Sequence, residues 1–265
     1  MYRYYLAVDI GASSGRHMLG YLQDGKMHLE EVWRFENGMK DEGGSLVWDT
    51  EYLFSQIRAG MKKCAQIHKI PESMSIDTWA VDYVLLDQEN RVLGSTYGYR
   101  DNRTQGMDER VYQRIPEKEL YARTGIQKQR FNTIYQLMAD QIKRPALLEA
   151  AKTFLMLPDY FQFLLTGNKV SEYTNATSTQ LVSPVTKQWD RELIRLLGYP
   201  EEIFLPLKTP GTEVGNLTER IAKEVGFTCK VALCGSHDTA SAVMAVPRAQ
   251  GDALYISSGT WSLMG

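Results

Sequence analysis

The stretch Tyr4-Tyr-Leu-Ala-Val-Asp-Ile-Gly-Ala-Ser-Ser-Gly-Arg-His-Met-Leu-Gly20 decides the reading. Tyr4 to Ile10 is rich in strand-forming residues, Gly11 to Gly15 is a run of small residues, and His17 to Leu22 reads as a second strand. Asp24-Gly25 then supplies hairpin-turn chemistry leading into Met27 to Phe35, which predicts an opening three-stranded meander. A strand after the glycines excludes a dinucleotide fingerprint and a Walker loop, since both need a helix there. The same residues contain Gly11-Ala-Ser13-Ser-Gly15, the Gly-x-Ser-x-Gly pattern of a serine hydrolase. That alternative also needs a helix after the serine, so it is the weaker reading.

Moving outward, Asp49 is placed to cap a helix running to about His68, with Leu53, Ile57, Met61 and Cys64 on one face. Short strands are expected at Met74–Thr78 and Val81–Leu86, with a turn at Gln88-Glu89-Asn90. Residues from about 105 to 198 read as mainly helical, an insertion broken at Pro145, Pro158 and Gly167. An amphipathic helix from Leu217 to Val225, a buried strand from Val231 to Cys234 and a helix from Thr239 to Val246 follow. The ending Leu254-Tyr-Ile-Ser-Ser-Gly-Thr-Trp-Ser-Leu-Met-Gly265 repeats the grammar of the opening hairpin, which implies two similar lobes with the second only begun.

Composition narrows the function classes. The 265 residues carry 30 Lys+Arg against 32 Asp+Glu, so no basic excess exists to neutralise a nucleic-acid backbone. No apolar run approaches the ~18 residues of a membrane span, and Arg3 interrupts the place where a leader would be apolar. Three scattered cysteines, Cys64, Cys229 and Cys234, match neither a zinc nor a redox spacing, so reduced thiols and a cytosolic protein are expected. The sequence does not give the oligomeric state.

Several residue clusters could carry chemistry. Asp9 ends the first strand beside glycines and hydroxyls, where a carboxylate could hold Mg²⁺ through water and backbone N–H groups could meet an anion. Asp238, in Gly235-Ser-His-Asp-Thr239, closes a buried strand and opens a helix; it reads either as the helix N-cap or as a general base with His237 beside it. In Asp77-Thr-Trp79-Ala80-Val-Asp82 an extended chain puts Asp77, Trp79 and Val81 on one face and Thr78, Ala80 and Asp82 on the other. Carboxylates beside an indole suit a polyol. The arginines of Arg100-Asp101-Asn-Arg103 are expected to pair locally with Asp101.

These stretches together resemble the FGGY family of carbohydrate kinases. The resemblance rests on Ala7-Val-Asp-Ile-Gly-Ala-Ser-Ser-Gly-Arg16, Ile76-Asp-Thr-Trp-Ala-Val-Asp82, Tyr99-Arg-Asp101, Phe131-Asn-Thr133, Pro158-Asp-Tyr160, Glu172-Tyr-Thr-Asn-Ala-Thr177, Ser236-His-Asp-Thr-Ala-Ser-Ala242 and Ser257-Ser-Gly-Thr-Trp-Ser-Leu-Met-Gly265. It implies an α/β, actin-like, ribonuclease-H-type lobe with a mixed sheet, flanking helices and a helical insertion. Residues 1–247 would form the sugar-binding lobe, and 248–265 would start a truncated ATP-binding lobe, leaving the adenine pocket beyond Gly265. Carried over by motif, Asp9 would serve Mg²⁺, Ala12, Ser13, Ser14, Gly15 and Arg16 would line the ATP phosphates, and Thr260 would contact the nucleotide. Trp79, Ala80, Asp82, His237, Asp238 and Thr239 would meet the sugar, with Asp238 as proton acceptor. Ala80 stands where relatives usually carry glycine. The reaction implied is ATP-dependent phosphorylation of L-rhamnulose at O1, with a related FGGY kinase for another ketose or polyol, or a non-catalytic actin-like nucleotide-binding module, as the alternatives.

Overall fold

The computed structural model describes residues 2–247, 254–258 and 262–264. The opening meander is present as β1 (Tyr4–Ile10), β2 (Ser14–Gln23) and β3 (Lys26–Glu36), antiparallel throughout. Asp24 and Gly25 both take positive φ, 52° and 73°, and these angles match the right-handed twist of the strands they join. Alternation along β1 buries Leu6, Val8 and Ile10 at 2% exposure or less. They form one core with Leu53, Ile57, Met61 and Cys64 of α1 (Thr50–Gln66). Asp49 caps α1 as the sequence suggests, accepting from the Tyr52 N–H at 2.8 Å.

α1 is the crossover that lets the Pro71–Thr78 strand lie parallel to β1, pairing Asp9 with Asp77 and Ile10 with Thr78. The full sheet runs Glu213–Asn216, Lys230–Ala232, Pro71–Thr78, β1, β2, β3. Its three central strands are parallel, and the antiparallel meander flanks one side. This mixed sheet agrees with the ribonuclease-H-type lobe that the family resemblance implies.

Two close approaches fix where α1 and β2 sit. A Cβ at Gly60 of α1 would lie 2.4 Å from the buried ring of His17 on β2, so only glycine lets the helix cross there. His17 bonds the Ile57 carbonyl at 3.0 Å, and burial pushes its pKa down to about 4. A Cβ at Gly15 would meet the Phe35 ring at 2.1 Å.

The region read as a helical insertion is mixed. Helices occur at Met107–Tyr112, Glu117–Thr124, Thr133–Lys143, Pro145–Ala150 and Arg191–Leu196, but Thr153–Met156 is a strand. It pairs antiparallel with Tyr83–Leu86. The two strands form a ribbon between two cores: Val84, Leu86 and Leu155 face the sheet core, while Tyr83, Leu85, Phe154 and Met156 face the insertion's core. The Leu157–Thr166 helix belongs to the sheet side, with Leu157, Phe161 and Leu165 fully buried against it.

The strand expected from Val81 starts only at Tyr83, because the chain turns at Val81. Near the end, Ile256–Ser258 and Ser262–Met264 pair antiparallel, as the repeat of the opening leads one to expect. Among the described residues no helix is long and apolar enough to cross a membrane.

Candidate active site

The candidate site gathers at the C-terminal ends of the parallel strands, where open α/β sheets place ligand chemistry. After Ile10 the chain makes a tight bend. Gly11 N–H donates to Ser14 O at 2.9 Å, while the Gly11 and Ser13 carbonyls accept from the Asn37 side chain and Asn37 N–H at 2.8 and 3.0 Å. Among the described residues nothing accepts from the N–H groups of Ala12 and Ser13. Such a bend, with free N–H groups, two hydroxyls and Arg16 at its exit, can take an anion. Arg16 donates two hydrogen bonds to Asp9 Oδ2, at 2.8 and 2.7 Å.

Parallel pairing sets Asp77 next to Asp9. Burial raises the Asp77 carboxyl to about 8; the negative charges of Asp9 and then Asp238 add to that, while a hydrogen bond with Ser241 opposes it. Asp77 therefore lies within electrostatic reach of both carboxylates that the motifs single out, and its Oδ1 is buried with no partner. Sequence reasoning assigned Asp77 to a polyol face. Its pairing with Asp9 needed the strand register, which no local pattern carries.

Asp238 arrives by a second route. Thr78 N–H donates to Ser236 O at 3.0 Å and Thr78 bridges His237, so Gly235–His237 prolongs the parallel sheet before the Asp238–Ala245 helix begins. His237 is the N-cap and Asp238 the first helical residue, which removes the N-cap reading of Asp238. The Asp238 side chain remains 41% exposed, and its Oδ1 accepts from Thr239 N–H at 2.6 Å. His237 Nε2 stands 3.3 Å from the same oxygen. Burial lowers the His237 pKa, against the pull of Asp238 and Glu172, favouring the neutral ring.

Glu172 braces this loop; it lies in one of the stretches that carry the family resemblance, which assigns it no role. Its fully buried carboxylate caps the Tyr173–Thr177 helix through Thr174 N–H and Asn175 N–H, and accepts Ser236 Oγ at 2.7 Å.

Trp79 and Asp82 do not match the expectation of an open indole beside a sugar-accepting carboxylate. Asp82 is 1% exposed and already accepts from Trp48 Nε1, Trp79 Nε1, Tyr99 N–H and Gln136 Nε2, at 2.6, 2.9, 3.0 and 3.0 Å. Trp79 is buried against Trp48, ring centroids 4.0 Å apart. Both residues are buried, and Ala80 between them in sequence is half-buried. Burial lifts Asp82 to about 6, which its four donors counter. Local pairing of the arginines with Asp101 is also corrected. Asp101 holds Leu46 N–H and Arg103 N–H, whereas the Arg103 side chain reaches Asp140 and Gln136. Thr260 lies outside the described residues.

The family model for the N-terminal domain of the FGGY family of carbohydrate kinases matches residues 4–245. The chain belongs to this family. It is 50% identical over 262 residues to a rhamnulokinase from Halalkalibacterium halodurans, covering 99% of this chain and 56% of that protein. A rhamnulokinase from Oceanobacillus iheyensis is 51% identical over 260 residues, covering 98% and 55%. The chain spans about half the length of the curated relatives it matches. Among solved structures, a carbohydrate kinase from Novosphingobium aromaticivorans superposes with a TM-score of 0.80 at 22% identity, covering 98% of this chain and 55% of that one. A xylulose kinase from Rhodospirillum rubrum gives 0.78 at 20% identity, covering 88% and 49%. These likenesses establish the actin-like fold of this FGGY domain.

The residues present fit a magnesium ion that keeps most of its water. Mg²⁺ takes oxygen ligands, commonly one or two carboxylates with waters completing the shell. Asp9 is such a donor, and the unpartnered Oδ1 of the adjacent Asp77 becomes one once that carboxyl gives up the proton that burial favours. No group of three or more His, Cys, Asp or Glu among the described residues could hold an ion on protein ligands alone.

Proposed function

We propose that this lobe serves ATP-dependent phosphorylation of L-rhamnulose at O1, within a kinase of its relatives' length. The observation that carries the reading is the half-exposed Asp238 carboxylate at the sheet mouth, sharing Asp77 as a neighbour with Asp9 and the anion-ready bend. The names of the relatives at 50% and 51% identity support rhamnulose as the sugar. Three unpaired cysteines are in keeping with a cytosolic setting.

Phosphoryl transfer passes through a loose, metaphosphate-like state, so positioning and charge neutralisation supply most of the catalysis. Asp238 orients the sugar hydroxyl toward the γ-phosphate and accepts its proton late. His237, Thr239 and Ala80 meet the sugar, while Ala12, Ser13, Ser14, Gly15 and Arg16 hold the phosphates and Thr260 contacts the nucleotide. Asp9, with Asp77 beside it, would hold Mg²⁺. When bound, the ion neutralises charge on the β- and γ-phosphates.

A positioned general base contributes about 10²- to 10⁴-fold. In an enzyme of full length carrying this lobe, Asp238→Asn loses at least ~10² in kcat with little change in sugar KM. Near-normal turnover would refute the assignment.

A further inference from the structure

Val81 sits at φ +68, a conformation that is a genuine outlier for a β-branched residue. Asp82 N–H donates back to Ala80 O at 2.9 Å, closing a three-residue turn around Val81. With positive φ at its centre, such a turn is the rare and strained form. Strain of this kind persists only where the surroundings over-determine it, and it concentrates at ligand clamps.

The surroundings do over-determine it. Val81 N–H donates to Ser178 Oγ at 3.1 Å. Val81 O accepts from Thr133 Oγ1 at 2.7 Å and from Gln136 Nε2 at 3.2 Å. Gln136 also donates to Asp82 Oδ1, and its own Oε1 accepts from Arg103 at 2.7 Å. Thr133, Gln136 and Asp82 are each at most 1% exposed. The Thr133–Lys143 helix thus grips the Val81 carbonyl and the following carboxylate, while Ser178, at the end of the Tyr173–Thr177 helix, holds the Val81 N–H.

We propose that Thr133, Gln136 and Asp82 are positioning residues that hold the Val81 turn strained so that the Ala80 backbone presents a fixed wall to the ketose, making the turn a determinant of sugar choice. The inference rests on the sugar-site reading above. Relaxing the turn widens the set of ketoses accepted without touching the base Asp238.

The test compares the parent with Val81→Gly, Thr133→Val and Thr133→Ser. Amide hydrogen exchange of residues 79–83 needs no ligand: Thr133→Val lowers protection at least tenfold, and Thr133→Ser, which keeps the hydroxyl, restores it. Binding of L-rhamnulose and of D-xylulose is then titrated. Val81→Gly and Thr133→Val reduce the ratio of the two affinities at least fivefold, while Thr133→Ser retains the parental ratio. Unchanged exchange in Thr133→Val overturns the clamp. A parent that discriminates, with Val81→Gly discriminating equally, overturns the specificity role and leaves the sugar site standing. A parent that binds neither ketose overturns the sugar-site reading and the wall together.

Discussion

Gly15→Ala tests the packing on which the phosphate-facing bend depends. The added Cβ would lie 2.1, 2.5 and 2.8 Å from three atoms of the Phe35 ring, against an ordinary carbon contact of ~3.5–4.0 Å. Phe35 is only 6% exposed and directly opposes Gly15 across β2 and β3. The ring must therefore move by more than ~1 Å within a packed core, or β2 must shift, carrying Arg16 away from Asp9. Overpacking of this kind costs about 1–3 kcal/mol. Urea unfolding should show a lower midpoint with an unchanged slope. Placing the substitution in a Phe35→Leu background removes the obstacle, so the double-mutant cycle should return a favourable coupling of at least ~0.5 kcal/mol. A Gly15→Ala chain within ~0.5 kcal/mol of the parent, or one equally destabilised in both backgrounds, would defeat the reasoning.

Two further outcomes concern titrating groups. Between about 4 and 6.5 the unfolded chain protonates His17 while the folded chain keeps it neutral, so stability is full above 6.5 and falls as pH drops through that window. At ~1.4 kcal/mol per pH unit the loss is roughly 3 kcal/mol; His17→Gln should flatten that part of the urea-midpoint profile, and an identical slope would exclude His17 as its source. Burial pushes Cys64 up to about 11, and Cys229 and Cys234 up to about 12, with Asp77 adding to the shift at Cys234. At pH 8 iodoacetamide should leave all three unlabelled in the native chain and label all three in guanidinium; rapid native alkylation of the half-buried Cys234 would contradict its environment.

The meander, the capped helix and the bend were legible because each is written locally. Strand formers, a small-residue run, Asp24-Gly25 and Asp49 each act within a few residues of themselves. The Asp9–Asp77 pairing was not legible, because it depends on the register between strands separated by α1. Alternation placed Val81 in a strand, yet tertiary hydrogen bonds from Thr133 and Gln136 hold a turn that local preference opposes. Extended-chain alternation puts Trp79 and Asp82 on opposite faces, whereas the turn at Val81 lets the Trp79 indole donate to Asp82, and no local pattern reveals that Trp48, Tyr99 and Gln136 converge on the same carboxylate. Thr153–Met156 was read as helix because its continuous apolar run has no period to distinguish it.

The ribbon of Tyr83–Leu86 and Thr153–Met156 acts as a partition. Its side chains alternate between the sheet core, which carries the Asp9 bend, and the insertion's core, which carries the grip on Val81. Substitutions that repack the insertion reach only one face of that partition. A lineage could exchange the layer that braces the Val81 turn while inheriting the anion-binding bend intact.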